Sequence, residues 1–129
     1  ERIADHAVNI SQSALVLSEQ PLVKPLIDIP RLADEVIQMM SDAIKSFINA
    51  DSKLAKKVCE RDSVVDALRN QIIRELITYM ISDSSTIERS LHLLNISKNL
   101  ERIADLSTNI CEEVLFLVDA RVIKHHHQQ

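Results

Sequence analysis

Glu101 and Asp105 stand four residues apart, and so do Asp62 and Asp66. On helices that spacing sets each pair on one face, one turn above the other. Asn109 and Glu113 continue the line from Glu101 at the same step, which would make an acidic ridge. If the two helices are antiparallel neighbours, four carboxylates meet, and such a cluster invites a cation. Hard oxygen donors suit Mg²⁺ and Mn²⁺, and iron is compatible with them. No Cys or His cluster has the spacing of a structural zinc site. Asp42 is a further candidate ligand from a third helix, and Glu1, Asp5 and Asn9 repeat the ridge pattern at the start of the chain. Against this stands the bland reading of acidic residues four apart, a solvated helix face. Arg2 and Arg102 could also neutralise neighbouring carboxylates as ordinary surface pairs, worth well under about 1 kcal/mol each. His125, His126 and His127 could bind metal but read first as a terminal tail.

The elements that must position these groups are helical. The 129 residues include no Gly, and all three prolines fall between Pro21 and Pro30, so the remainder is free of the two strongest helix breakers. Glycine loops that cradle phosphates, and Rossmann fingerprints, have nothing to be built from. With 2% aromatic residues and a formal net charge of −4, the chain lacks stacking platforms and a basic footprint, so nucleic acid is not an expected partner. Cys59 and Cys111 sit inside apolar helical patterns and read as small core residues of a protein in reducing cytosol. The densest apolar run, Val114 to Val118, is far short of the ~18 residues of a membrane span. The chain opens at Glu1 already in a helical pattern and without an initiator Met, as a piece of a longer protein would.

Four helices are expected. Ile3, Ala7, Ile10, Ala14 and Leu17 predict the first, from Glu1 to about Glu19. After the proline connector, Asp28 caps a second that takes Pro30 in its first turn and buries Leu32, Val36, Met40, Ile44 and Phe47. A polar break at residues 49–52 opens a third, with Leu54, Val58, Val65, Leu68, Ile72, Leu76 and Tyr79 on one side and an interruption at Arg61. Ser85 and Glu88 match a capping box for the fourth. It runs to about Ala120 and carries Leu93, Leu100, Ala104, Ser107, Cys111, Val114 and Leu117 inward. Steps of three and four residues suit an all-α antiparallel bundle.

Glu1-Arg-Ile-Ala-Asp5 returns 100 positions later as Glu101-Arg-Ile-Ala-Asp105, and each copy is followed by Asn-Ile, at Asn9-Ile10 and Asn109-Ile110. A duplicated three-helix unit gives such an offset. With R-D-x-x-x-D and R-E-L-I-T-Y-M between the two copies, the chain resembles the PhoU family over nearly its whole length. The resemblance implies that residues 1–20 are the last helix of a first repeat, 26–124 a complete second three-helix repeat, and 125–129 a tail. It further implies a non-enzymatic, cytoplasmic regulator of phosphate uptake and phosphate-dependent signalling. Such a protein contacts the ATPase subunit of a phosphate importer and a phosphate sensor kinase, and associates peripherally with the membrane through them. Acidic motifs in PhoU relatives hold multinuclear metal clusters, which makes Asp62, Asp66, Glu101 and Asp105 candidates for one site, with Asp42 beside them. Glu1 and Asp5 would belong to the site of the other repeat. Ala4 and Ala104 depart from the usual Gly of the motif, Leu106-Ser107 from the usual His-Ala, and Lys45 from a common acidic residue.

Two other functions compete with this reading. A cytoplasmic tail of a sodium-phosphate cotransporter could carry the same module. A ferritin-like metalloenzyme needs Glu with His three residues later on two helices, and none of the five histidines is so placed. No nucleophile and base stand at a recognisable catalytic spacing, so no enzyme is expected. Because the first helix lacks its own bundle, its apolar face could dock on the second repeat or on another chain by exchange of elements, and self-association as a homo-oligomer is the favoured expectation.

Overall fold

The computed structural model describes residues 1–18 and 28–127, with side chains through Lys124. Five α-helices are present among them: α1 (Arg2–Ser18), α2 (Asp28–Asn49), α3 (Ser52–Glu60), α4 (Asp62–Ser82) and α5 (Ile87–His127). A 3₁₀ turn, Ser84–Thr86, leads into α5. Most of the proline connector lies outside the described residues; Pro30 is in the first turn of α2 as expected. No helix is long and apolar enough to cross a membrane among the described residues.

The 41-residue α5 is the spine, and every other helix packs against it. One core joins Leu32, Val36 and Met39 of α2, Val58 of α3, Ile72 and Leu76 of α4, and Leu100, Ala104, Cys111 and Val114 of α5. The stripe of α2 differs from its expected course beyond Val36. Met39, Ala43 and Ser46 are buried, whereas Ile44 and Phe47 are 45% and 58% exposed and Met40 is half-buried. A residue four positions on has turned about 40° past its predecessor, so repeated steps of four leave the face, while alternating fours and threes stay on it. Leu117 and Tyr79 also lie outside the core, 47% and 37% exposed. The small Ser46 lets α2 approach α5, its Oγ lying 3.8 Å from the Cys111 Sγ.

The expected third helix is two segments, divided at Arg61. Arg61 keeps right-handed backbone angles (φ −78°, ψ −11°), and its N–H reaches the carbonyls of Lys57 and Val58 at 3.2 and 3.1 Å. Its guanidinium crosses to α2, where Nη1 meets Asp42 at 3.1 Å and Nη2 meets Glu35 at 3.2 Å. A charge at a position that would otherwise face the core is thereby satisfied at the junction. The start of α5 also differs from expectation. The 3₁₀ turn precedes it, and Asp83 caps that turn, accepting from the Ser85 N–H at 3.0 Å and from its hydroxyl at 2.7 Å. The end of α5 lies beyond Ala120, at His127.

Between α2 and α3, Ala50 takes a positive φ of 50°, the left-handed conformation that usually falls to Gly after a helix. Asp51 follows as the cap of α3, accepting from the Leu54 N–H at 3.1 Å. Ala50→Gly removes the steric penalty on Cβ and should raise stability by about 1 kcal/mol, less the added flexibility of the unfolded chain. Urea unfolding of the two proteins measures it, and a less stable variant would contradict it.

Helix α1 lies antiparallel on α5 through a polar ladder. His6 Nδ1 is 2.8 Å from the Asn99 Oδ1, the Asn9 amide donates to that same oxygen at 3.3 Å, and the Asn95 amide donates to the Ser13 Oγ at 2.8 Å. Ile3, Ile10 and Leu17 pack beside it against the core. Buried polar groups are thus matched across the helix pair.

Candidate functional site

Helices α4 and α5 bring the four expected carboxylates into one another's field. On α4, Asp62, Asp66 and Arg69 follow at steps of four and three, so they share a face. That face meets the one on α5 bearing Glu101 and Asp105. Burial pushes the Asp62 carboxyl above its usual range, and the charges of Asp66, Glu101 and Glu112 push it further. Asp105 is raised in the same way, first by burial and then by Glu101, Asp62 and Asp66, with Arg69 partly opposing.

Arg69 provides the counter-charge. Its Nη1 donates to Glu101 Oε2, and its Nη2 donates to the Asn70 Oδ1 at 3.3 Å. The Oδ1 of Asp62 is buried and has no hydrogen-bond partner. A buried carboxylate oxygen without a donor, set among further carboxylates, is the chemistry of a hard-cation site. Among the described residues, however, no three acidic, imidazole or thiol groups converge on one point as a closed coordination shell requires. The donor types fit a hard cation, and Glu101 is engaged by Arg69.

The remaining candidates are placed differently. Asp42 sits on α2, held by Arg61 and by the Gln38 amide at 3.0 Å, and its charge bears on the Cys111 thiol. Glu1 lines an apolar groove with Phe47 and Ile110, and Asn109 and Glu113 line the same groove. The ridge therefore does not continue through Glu113. Glu112 is the carboxylate that faces the cluster, acting on both Asp62 and Cys59. Seven residues after Asp105 is almost two full turns, whereas Glu113 has rotated about 80° away. That arithmetic was available in the sequence. Asp5 lies across from Asp105 in a cleft with Arg2, His6 and Arg102, so the two copies of the repeated motif meet antiparallel. Asn9 is committed to the ladder with Asn99. Cys111 is buried and Cys59 half-buried, as small core residues would be, and burial pushes both thiols up.

Residues 29–114 match the family model of the PhoU domain. The chain belongs to the PhoU family. It is 41% identical to the phosphate-specific transport system accessory protein PhoU homolog of Aquifex aeolicus, across 98% of this chain and 58% of that one. It is 36% identical to PhoU homolog 2 of Thermotoga maritima, across 100% of this chain and 55% of that one. The crystal structure of PhoU from Pseudomonas aeruginosa superposes with a TM-score of 0.89 at 33% identity, covering 93% of this chain and 58% of that one. The all-α bundle is thus the PhoU fold, and the chain spans a little over half the length of these PhoU relatives.

Proposed function

We propose that the chain is part of a non-enzymatic, cytoplasmic accessory regulator that couples a phosphate importer to a phosphate sensor kinase. The observation that carries this reading is the match along almost the entire chain to accessory proteins of phosphate-specific transport systems. Its partners are the ATPase subunit of the importer and the kinase, and membrane association is peripheral, through them. The exposed apolar residues Val8 and Leu15 of α1 favour contacts with further helices, in the parent protein or in a second copy. Asp62, Asp66, Glu101 and Asp105 form the proposed multinuclear site for iron, manganese or magnesium. Glu112 flanks it, and Arg69 holds the carboxylates when no metal is bound.

Affinity capture with the intact parent protein tests the partner reading. The ATPase subunit and the kinase should each be retained from defined mixtures of purified components. Retention of neither removes the regulatory reading while leaving the family assignment intact.

A further inference from the structure

The groove between α4 and α5, on the side of Arg69 away from Asp62, is lined by Arg69, Ser97, Lys98, Glu101, Arg102 and Asp105. Its volume is about 580 Å³. Three cations thus face two carboxylates, one of which, Glu101, is already committed to the Nη1 of Arg69. Two further donors have no partner. Ser97 is 0% exposed and its Oγ makes no hydrogen bond, and the Nε of Arg69 is buried and likewise unpaired. A buried helical serine ordinarily donates to the carbonyl four residues back, as Ser107 does to Ile103 at 2.8 Å on this same helix. Ser97 makes no such bond, nor does the equally buried Ser90 on this helix, but the Ser97 hydroxyl lines the groove, where a ligand atom can meet it.

We propose that this groove binds a phosphoryl oxyanion. The Ser97 hydroxyl donates to it from the floor, the guanidinium of Arg69 from the α4 side, and Lys98 and Arg102 neutralise its charge from successive turns of α5. A tetrahedral oxyanion accepts several charge-assisted hydrogen bonds at once, and the unpaired Nε of Arg69 can donate one of them. A carboxylate has fewer acceptor directions for donors arriving from two helices. The site needs no metal and stands apart from the transport reading: it rests on Ser97, Arg69, Lys98 and Arg102 alone.

Calorimetric and ¹H–¹⁵N NMR titrations of the full chain at constant ionic strength test it, with inorganic phosphate and phenyl phosphate as the two probes. Saturable binding is expected, with amide shifts centred on Arg69, Ser97, Lys98 and Arg102. Ser97→Ala and Lys98→Ala/Arg102→Ala should each weaken it at least about tenfold, as loss of a charge-assisted hydrogen bond does. Ser97→Ala deletes only an unpaired hydroxyl, and the double variant changes only exposed side chains, so at least one keeps the fold and reports on binding. Phosphate binding as tightly as the ester identifies the free ion as the ligand. Binding of the ester alone identifies a phosphoryl group carried on a larger molecule. No saturable binding of either probe up to on the order of 10 mM overturns the proposal, as does binding that both variants leave unchanged.

Discussion

Mn²⁺ at a hundred times its dissociation constant should stabilise the chain by about 2.7 kcal/mol, and Asp62→Asn/Glu101→Gln should abolish the effect. The reason lies in how the carboxylates are held. Asp62 and Asp105 are raised by burial and by one another's neighbours, so in the metal-free protein the charged forms oppose folding. For a carboxyl raised on folding, the contribution to stability is full below the unfolded-state value and is lost as pH rises through the folded-state value. Metal-free protein should therefore gain stability, relative to the double variant, as pH falls from neutral into the carboxylate range. Asp83 has the opposite sign, because hydrogen bonds from Ser85 lower it, but it is common to both proteins and cancels in the difference. Bound metal reverses the trend, since protons compete with the cation for the same oxygens. Thermal melts at several pH values, with and without Mg²⁺, Mn²⁺ and Fe²⁺, measure both effects. Equal shifts in wild type and variant, or none with any of the three ions, would reduce these carboxylates to a solvated face.

The bundle was legible because its signals are periodic. The absence of Gly and the confinement of Pro to one stretch left only helices to be formed, and the Glu-Arg-Ile-Ala-Asp repeat pointed to a family whose fold the chain shares. What escaped was rotational phase. Picking Met40, Ile44 and Phe47 followed hydrophobicity around the helix, while the packed face chose Met39, Ala43 and Ser46, two of which are small. The same error of phase favoured Glu113 over Glu112. Arg61 could be recognised as an interruption of a stripe, but its bridge to Glu35 and Asp42 depends on α2 crossing at that height, which spacing along one helix does not encode. Ser97 carried no signal at all. A serine in a helical run is unremarkable until the structure shows that its hydroxyl is buried without a partner.

Ile72→Ala should cost about 2–5 kcal/mol, a large part of the roughly 5–15 kcal/mol that holds a domain of this size together. Ile72 is 0% exposed and belongs to the single core shared by α4 and α5. Removing its branched end takes away apolar contacts and leaves a cavity in a close-packed layer that cannot fully collapse. Arg69 is three residues before it, and Asp66 and Asp62 lie one and two turns earlier still, so these groups depend on this layer for their distance from Glu101 and Asp105. Ile81 on the same helix is 81% exposed, and Ile81→Ala, with nearly the same change in side chain, should shift stability by less than about 0.5 kcal/mol. The contrast isolates burial from helix propensity. Denaturant unfolding of both variants decides the matter, and equal losses would mean that α4 is not seated on α5 through Ile72. Saturating metal gives a second reading on the same protein. If the cation bridges α4 and α5, it tightens the pair that the cavity loosens, and its affinity for Ile72→Ala should fall because folded binding geometry becomes rarer. A cation held by α5 alone would bind both proteins equally well once they are folded.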